Sequence, residues 1–437
     1  MAGSVAEAIA NIALMAATAD TPVVVTGLGR NLAHDAGPSA FRLEMGPEAF
    51  TLAVAGQHPL LAAYRDLETI AVDEGRVLLV LSGGQVRLVA EQLGAGLATL
   101  VGEMRERRAR QMLTDRLIDL PNDERLELLE YAAGGEHGVA QLAFHPWGFA
   151  LMPLDERRSW RQVRRADIRV VRPDQSAGKV GVEVSARPGR DGAAFELLGL
   201  GLATVRTGQR FSTLYEGALA DAAAIVARLL PDTPVALRQR AASLLVDGRP
   251  TSPRDLGDAW VPIERAVLAE PTFAASYAAL RAKSGQTTAA DKRWIALAPA
   301  QPGDPTKHMA WFLVGLPGDM LAFELVSAGA HATYMFRARD SFDAAVYDVS
   351  ECLIDSRFLR SAIYLTEAAL ADARHQRQRL AIAALPSLRA ARSRFVGRLI
   401  HTDEAAWSAA LDDVLTWNAA NPGATNAWPG TDETEGD

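Results

Sequence analysis

The sequence predicts an α+β protein built from a repeated module of short antiparallel strands closed by a helix. Two stretches of 40 residues, 74–113 and 191–230, carry this prediction. Each opens with an acidic residue and a glycine, continues through an apolar run and a turn, and ends with apolar residues at helical spacing. The two stretches align without a gap. Because self-similarity at this scale indicates a repeat architecture, we expect them to fold alike.

A third and weaker copy begins near Ala322. The tetrapeptide at 194–197 recurs at 322–325, and Ala-Thr at 203–204 recurs at 332–333. The sequence therefore predicts two or three modules.

In chain order, the first module starts with a helical pattern at 5–17 and continues through short apolar runs with strand character. A Gly-Pro turn at 46–47 separates two of these runs as a hairpin. The predicted strands are 22–26, 41–45, 50–54, 60–64 and 67–72, followed by a pair around the Gly83-Gly84 turn. A helix to about residue 117 closes the module.

A polar, helix-favouring connector at 116–131 leads to the second module, which contains a turn at Pro146-Trp147-Gly148 and ends with a helix near residue 230. Glycines and prolines then interrupt a helical pattern, which indicates a linker. The predicted divisions are 1–117 for module one, 118–232 for module two, 233–285 for a helical linker, 286–417 for a degenerate module three with long C-terminal helices, and 418–437 for a disordered acidic tail.

A shared pattern strengthens the match between the first two modules. Residues 64–70 and 165–171 both contain Asp, an apolar residue, two residues of any kind and another apolar residue, and each segment precedes the repeated stretch. This plan resembles the pleckstrin-homology-like (PH-like) modules of bacteria, antiparallel sandwiches or barrels capped by their last helix. The resemblance covers about 22–113 and 139–230 and, more weakly, 290–350. It implies a fold and no catalytic residue.

The same resemblance implies a binding platform for lipid headgroups or peptides. Lipid-binding relatives carry basic residues on the loop between their first two strands. We assign that loop to residues 46–48 in module one and 145–148 in module two, and neither segment contains Lys or Arg. The sequence therefore favours a peptide or protein partner over a lipid headgroup.

Composition narrows the function classes. The net charge of -8 argues against nucleic acid as a partner. A single cysteine, Cys352, excludes an intrachain disulfide framework and a cysteine-rich zinc site. No apolar run reaches the roughly 18 residues of a membrane span. We expect a cytoplasmic protein, with peripheral membrane association and homo-oligomer formation left open.

Motifs for catalysis or cofactors are incomplete. Residues 81–85 match the signature motif of ABC-type ATPases, but the chain has no Walker A loop, and a Gly-Gly turn explains the match. Residues 23–30 suggest a dinucleotide loop but lack its third glycine and its helix. The eight histidines lack metal-ligand spacing. We predict no catalytic residue, no cofactor and no metal.

The best candidate for a contact surface is a basic and aromatic cluster in module two. It could bind an acidic partner, a phosphopeptide or an anionic headgroup, or it could be a charged edge strand. The predicted contact residues are Arg157, Arg158, Trp160, Arg161 and Arg164. Four arginines on the closing helix of module one, at 105, 107, 108 and 110, are interpreted as a solvated face with local ion pairs.

These observations predict a non-catalytic, multi-domain scaffold protein that binds another protein or peptide through exposed sheet edges and grooves between modules. Two alternatives remain. The first is a peripheral binder of anionic membrane lipids through the same arginines, and the second is an enzyme whose active site lies between modules.

Overall fold

A computed structural model describes most of the chain. The described residues are 23–31, 39–73, 75–82, 87–91, 93, 96–121, 124–155, 158–186, 192–269, 271–285, 292–326, 332–339, 341–401, 403–424 and 426–431. The helix predicted at 5–17 and the Gly83-Gly84 turn lie outside these residues.

Three antiparallel sheets account for the strands of the described residues, and none of the three closes into a barrel. The barrel form of the predicted fold is therefore wrong, although the α+β class is confirmed. The strands are β1 (Val23–Asn31), β2 (Ser39–Met45), β3 (Ala49–Val54), β4 (Leu60–Ala63), β5 (Leu67–Asp73), β6 (Arg76–Leu81), β7 (Arg87–Glu91), β8 (Glu127–Ala133), β9 (Glu136–His145), β10 (Gly148–Pro153), β11 (Arg161–Arg164), β12 (Ile168–Asp174), β13 (Lys179–Val184), β14 (Ala193–Leu198), β15 (Arg293–Gln301), β16 (Asp304–Leu316), β17 (Met320–Val326), β18 (Ala332–Arg337) and β19 (Phe395–Ile400).

In chain order, one helix follows each of the first two sheets, and the other helices come before, between or after the strands of the third sheet. They are α1 (Gly96–Asp115), α2 (Thr204–Leu229), α3 (Val235–Leu244), α4 (Pro253–Leu256), α5 (Trp260–Val267), α6 (Pro271–Ser284), α7 (Phe342–Asp355), α8 (Ser361–Tyr364), α9 (Glu367–Leu370), α10 (Gln376–Ala384), α11 (Pro386–Arg394) and α12 (Glu404–Ala420).

The first two sheets have the same strand order. The first runs β4-β3-β2-β1-β7-β6-β5 and the second runs β11-β10-β9-β8-β14-β13-β12, so each strand has its counterpart seven strands later. One long helix follows each set, α1 in the first case and α2 in the second. Residues 23–115 and 127–229 therefore repeat one topology.

The shared Asp-apolar pattern marks the same local structure in both copies. A 3-10 turn, Tyr64–Asp66 or Arg165–Asp167, joins the fourth and fifth strands. The next strand then has a bulge one residue after its first, at Glu68 in β5 and at Arg169 in β12. Since a bulge adds twist at a defined position, the two copies bend at corresponding points.

The gapless alignment of 74–113 with 191–230 is wrong by one strand. The first stretch contains β6, β7 and α1, whereas the second contains only β14 and α2. The true counterpart of β6 is β13, which ends before the stretch 191–230 begins. The connection between the sixth and seventh strands is longer in the second copy, 185–192 against 82–86, and a gapless comparison cannot absorb that insertion.

The predicted helical connector at 116–131 is also wrong in its second half. The helix ends at Asp115, and Glu127–Ala133 forms β8, which pairs with β9. Leu129, Tyr131 and Ala133 are buried at alternate positions, and this period of two outweighs the helix propensity of the neighbouring glutamates. The assignment of the loop between the first two strands to 46–48 and 145–148 is therefore wrong, because those segments join the second and third strands. The first two strands are connected by 32–38, outside the described residues, in the first copy and by Gly134-Gly135 in the second. Neither segment contains Lys or Arg.

Contacts divide the chain into two compact units. Unit 1 comprises the described residues of 1–145, 149–162 and 197–199, and unit 2 comprises those of 146–148, 163–196 and 200–437. The core of unit 1 lies between its first sheet and α1, where Leu43, Tyr64 and Met104 are fully buried. A smaller cluster in unit 1 packs Leu113 of α1 with Met152 of β10.

The core of unit 2 includes the segment that we predicted as a linker. Trp260, Ile263 and Leu280, on α5 and α6, are buried in the same cluster as strands of the third sheet. These helices are therefore part of the domain, because their apolar faces are covered. The third sheet runs β15-β16-β17-β18-β19 in sequential order and does not repeat the topology of the first two.

The predicted disordered tail begins inside ordered structure. Residue Asn418 is buried in the last turn of α12, and Trp428 packs against the core of unit 2. Trp428 N donates to Val396 O at 2.6 Å. Val396 occupies a bulge of the edge strand β19, so its carbonyl is outside the register with β18. The packing of Trp428 thus holds the described part of this segment against unit 2, although its Gly, Pro and Asn content predicts disorder.

Candidate functional site

The predicted contact residues that the structure describes have different environments. Arg157 lies outside the described residues. Arg164 is buried in unit 2, where its Nε lies 3.4 Å from Asp167 Oδ2 and its Nη2 lies 3.9 Å from Glu351 Oε1. Burial lowers the pKa of Arg164, and nearby carboxylates such as Asp355 act in the opposite direction. The prediction that Arg164 is a surface contact is therefore wrong, because its charge is used inside unit 2.

The next residue, Arg165, forms a tighter buried ion cluster. Its Nε and Nη2 donate to Asp247 at 2.7 and 2.8 Å, and Nη2 also donates to Asp221 at 2.6 Å. Gly303 N donates to the same Asp221 oxygen at 2.9 Å. Desolvation lowers the pKa of Arg165, but the hydrogen bonds and charges of Asp247 and Asp221 together raise it. This cluster ties the second sheet's 3-10 turn to α2 and the third sheet.

Arg158 and Arg161 are closer to the surface of unit 1 and have local partners. Arg158 Nε lies 3.3 Å from Asp155 Oδ2, and its Nη1 donates to Tyr131 and to the carbonyl of His137. Arg161 Nη2 lies 3.2 Å from Glu136 Oε2. These contacts fix the loop before β11, so these two arginines fit a structural role better than a contact surface.

Trp160 lines a small cleft that lies within unit 1. Side chains of α1, β5, β9 and the end of β10 form its other walls. We call this the α1 cleft, and its lining residues are Ile70, Arg105, Arg108, Ala109, Met112, Gln141, Met152, Pro153, Leu154 and Trp160.

One face of α1 supplies the basic wall of this cleft. Arg105, Arg108, Ala109 and Met112 follow the spacing i, i+3, i+4 and i+7, which places them on one side of a helix. Arg107 instead points into the core, where it is 7% exposed, pairs with Glu103 and donates to Gly46 O at 2.9 Å. The expected local ion pairs are present, Arg107 with Glu103 and Arg110 with Glu106, but the expectation of a solvated face is wrong for Arg107.

The α1 cleft is positively charged. Arg105 Nη2 donates to Ile70 O at 3.2 Å, which holds this guanidinium against β5. The Arg116 guanidinium lies over the Trp160 ring at 4.2 Å. Arg116 also acts to lower the pKa of Asp115, although burial has the larger effect and raises it. The lining residues include two arginines and neither Asp nor Glu.

This arrangement can bind an anionic group beside an apolar one. Guanidinium groups pair with carboxylates and phosphates, and methionine side chains adapt to apolar partners of different shape. Sequence reasoning had noticed Trp160 and the helix arginines as separate clusters. The helical spacing of Arg105, Arg108 and Met112 could have identified the side of the cleft that α1 forms. The contact between α1 and β10 depends on tertiary structure, which local sequence does not show.

A second polar cluster lies inside unit 2 and was missed by sequence reasoning. Glu324 of β17 accepts hydrogen bonds from Ser276 Oγ at 2.8 Å and from Thr333 Oγ1. His401 Nε2 lies 3.1 Å from Glu324 Oε1, and Trp407 Nε1 donates to Thr333 Oγ1 at 2.9 Å. Glu324 and Thr333 are opposite each other in the β17–β18 register, which brings two distant polar residues together.

These contacts make the Glu324 cluster a structural anchor rather than a reaction centre. Glu324 is 2% exposed and Thr333 is fully buried, so a substrate has no path to the carboxylate or the hydroxyl. Each polar atom named above is already used in an internal hydrogen bond, which is how buried polar groups are normally stabilised.

We expect Thr333→Val to destabilise unit 2 by about 1–3 kcal/mol, because it leaves Trp407 Nε1 without its acceptor and Glu324 without a donor. Urea denaturation followed by circular dichroism measures this loss. Thr306→Val, at an exposed hydroxyl that bonds Asp304, is the matched control and should change the free energy of unfolding by less than about 0.5 kcal/mol. Equal effects of the two substitutions would contradict the anchoring role.

Within the described part of the chain, no group of three or more His, Cys, Asp or Glu residues is placed to hold a metal ion. Cys352 is fully buried, and burial raises the pKa of its thiol, which makes it an inert core residue. None of the described helices combines the length and the apolar character that crossing a bilayer requires. No protein-family model and no curated protein matches the chain.

Proposed function

We propose that the protein is a non-catalytic binding protein whose α1 cleft takes up an acidic and apolar peptide segment of a protein partner. The observation that carries the proposal is the lining of the cleft, which combines Arg105, Arg108 and Trp160 with apolar side chains and contains no acid. Such a lining suits a peptide that places a carboxylate next to an apolar side chain. Tryptophan and arginine are also the residue types that contribute most often to binding energy at interfaces.

The repeated topology supports this proposal at the level of fold. Two copies of a seven-stranded order, each followed by one long helix, agree with tandem PH-like modules, and proteins of that fold are mainly binding platforms. We propose two such modules, because the third sheet has another strand order. Fold alone does not determine function, so the argument for a peptide ligand rests on the α1 cleft.

Two features favour a peptide over an anionic membrane surface. The net charge of -8 disfavours the approach of the protein to an anionic bilayer. The loops between the first two strands of each copy also lack basic residues. A peptide can use two arginines locally, whereas a membrane surface needs a broader basic area.

A binding titration tests the proposal. The probe is a fluorescent peptide of alternating glutamate and leucine, and a peptide of alternating lysine and leucine is the ligand control. We expect the acidic peptide to bind with a Kd near the micromolar range and the basic peptide not to bind. Arg105→Glu combined with Arg108→Glu should weaken binding by at least about tenfold, since it reverses both charges of the cleft.

The matched control variant is Arg42→Glu combined with Arg169→Glu, which makes the same change in net charge at exposed positions outside the cleft. Its affinity for the acidic peptide should stay within about twofold of the wild type. Equal weakening in both double variants would show that net charge, not the cleft, drives binding. Vesicles of phosphatidylcholine and phosphatidylserine form a second arm. The lipid proposal would replace the peptide proposal under two conditions. The wild type and the control variant, but not the cleft variant, would sediment with these vesicles, and the acidic peptide would not bind.

A further inference from the structure

Residues 426–431 lie against the outer strand β19 in the manner of a bound peptide. Trp428 packs against the core cluster of unit 2, and its backbone N donates to Val396 O at 2.6 Å. Thr431 Oγ1 donates to the same oxygen at 3.4 Å. Val396 is the bulge residue of β19, so its carbonyl is outside the register with β18. The segment therefore meets the sheet through one indole and one backbone carbonyl.

The segment forms a turn of its own. Thr431 N and Thr431 Oγ1 both donate to Trp428 O, at 3.1 and 2.8 Å, and close a four-residue turn. Proline is favoured at the second position of such a turn, and Pro429 occupies it. Gly430 lies against the indole, because an added Cβ there would overlap the Trp428 ring. These four residues therefore present the tryptophan in a shape that their own sequence favours.

The strand provides a surface that matches this turn. We call it the β19 edge site and define it by Val396 and Gly397. An added Cβ at Gly397 would lie 3.1 Å from Thr431 Oγ1 and 3.4 Å from Trp428 Cε3, so a larger residue would have to displace both groups. The glycine thus leaves room for the indole, and Val396 O accepts the backbone N–H of Trp428.

Few contacts hold residues 426–431 in place. Among the described residues, the hydrogen bonds that join this segment to the strands of unit 2 both end on Val396 O. Four of the six residues are exposed, namely Asn426, Ala427, Pro429 and Gly430. Since segments with few buried contacts open at a low cost in free energy, another polypeptide can compete for the β19 edge site.

We propose that the β19 edge site binds a tryptophan-containing turn of a protein partner, and that residues 426–431 are the resident occupant that this partner displaces. The segment Asn-Ala-Trp-Pro-Gly-Thr carries no charged side chain, so the matching ligand is a neutral peptide that supplies an indole and a backbone N–H. Sheet edges bind peptides through such main-chain contacts, and tryptophan often contributes much of the binding energy. The site lies within unit 2, and the proposal does not depend on the ligand of the α1 cleft.

Peptide binding by the full chain with Trp428→Ala tests the proposal. The substitution removes the indole from the β19 edge site and leaves the strand unchanged. The probe is a fluorescein-labelled peptide of sequence Asn-Ala-Trp-Pro-Gly-Thr, and fluorescence anisotropy measures its affinity. We expect the variant to bind the probe at least about tenfold more tightly than the wild type, because the tethered segment of the wild type competes at a millimolar effective concentration.

A second variant vacates the same site and keeps the tryptophan. The added Cβ of Gly430→Ala would overlap the indole, so we expect a similar gain in affinity. This variant supplies the test if circular dichroism shows that Trp428→Ala has lost its fold. Asn426→Ala, at an exposed position of the same segment, is the matched control and should bind the probe as weakly as the wild type. A probe with alanine in place of tryptophan should bind none of these proteins.

Adding Gly397→Val to Trp428→Ala locates the binding site. The valine side chain takes the space that the indole occupies, so affinity for the probe should fall at least about fivefold. The proposal is overturned by no gain in either folded variant, by an equal gain in Asn426→Ala, or by binding that ignores the tryptophan of the probe. A complex of Trp428→Ala with the wild-type chain, detected by light scattering without the probe, would replace the partner by a second copy of this chain.

Discussion

Arg165→Ala should destabilise unit 2 by about 3–5 kcal/mol, the largest effect expected of any single charge removal described above. The substitution leaves Asp221 and Asp247 buried side by side without their cation, and their side chains are only 7% and 1% exposed. Asp247 also has a positive φ of 44°, a conformation that this cluster helps to hold. Urea denaturation of the purified chain, followed by circular dichroism, measures the loss.

Two companion variants make this prediction specific. Arg172→Ala removes an exposed arginine paired with Glu183 on the same sheet, and it should change the free energy of unfolding by no more than about 0.5 kcal/mol. Combining Arg165→Met with Asp221→Asn and Asp247→Asn removes all three charges together. The triple variant should be more stable than Arg165→Ala, because no charge stays buried alone. A triple variant that is less stable than the single one would contradict this account.

Gly148→Ala should cost about 2–4 kcal/mol, because the turn before β10 has no room for a β-carbon. An added Cβ would lie 2.0 Å from Val163 O and 2.9 Å from Arg164 Cα, both of them backbone atoms. The φ angle of 152° adds strain for any other residue. A flexible side chain could move away, but the backbone beside Arg164 is fixed by the hydrogen bond from Arg165 N to Trp147 O at 2.9 Å. The midpoint of urea unfolding reports this loss.

Gly135→Ala separates steric overlap from backbone strain. Gly135 has a φ of 85°, and an added Cβ there meets no atom within 4 Å. Its substitution should cost only the backbone term, about 1 kcal/mol. If the two substitutions cost the same, the overlap at Gly148 contributes nothing and the description of this turn is incorrect.

The sequence predicts local structure well where one pattern dominates. The hairpin of β2 and β3 was expected from alternating residues around Gly46, and the shared Asp-apolar pattern marked corresponding positions of the two copies, although the 3-10 turns found there were not predicted. The strand β8 was missed, because Glu127 and Glu130 have helix propensity and only pairing with β9 selects the extended form. Propensity is a weak signal when a strand depends on a distant partner.

Candidate sites were harder to predict because arginine has several roles. In sequence, Arg158, Arg161 and Arg164 look like one basic surface. In the structure, the first two secure a loop and the third is buried with Asp167 and Glu351. Their partners lie far apart in the chain, so no local rule assigns these roles. The same limit applies to Glu324 and His401, which the order of strands in the third sheet brings together.

The bulge at Val396 gives residues 428–431 a protective role. β19 is one of the two outer strands of the third sheet, and an uncovered outer strand offers free backbone groups to any passing chain. Trp428 supplies a donor to Val396 O, and Thr431 Oγ1 lies 3.4 Å from the same oxygen. Residues 428–431 therefore act as a cap that discourages fibre-like association, which makes these four residues poor candidates for deletion.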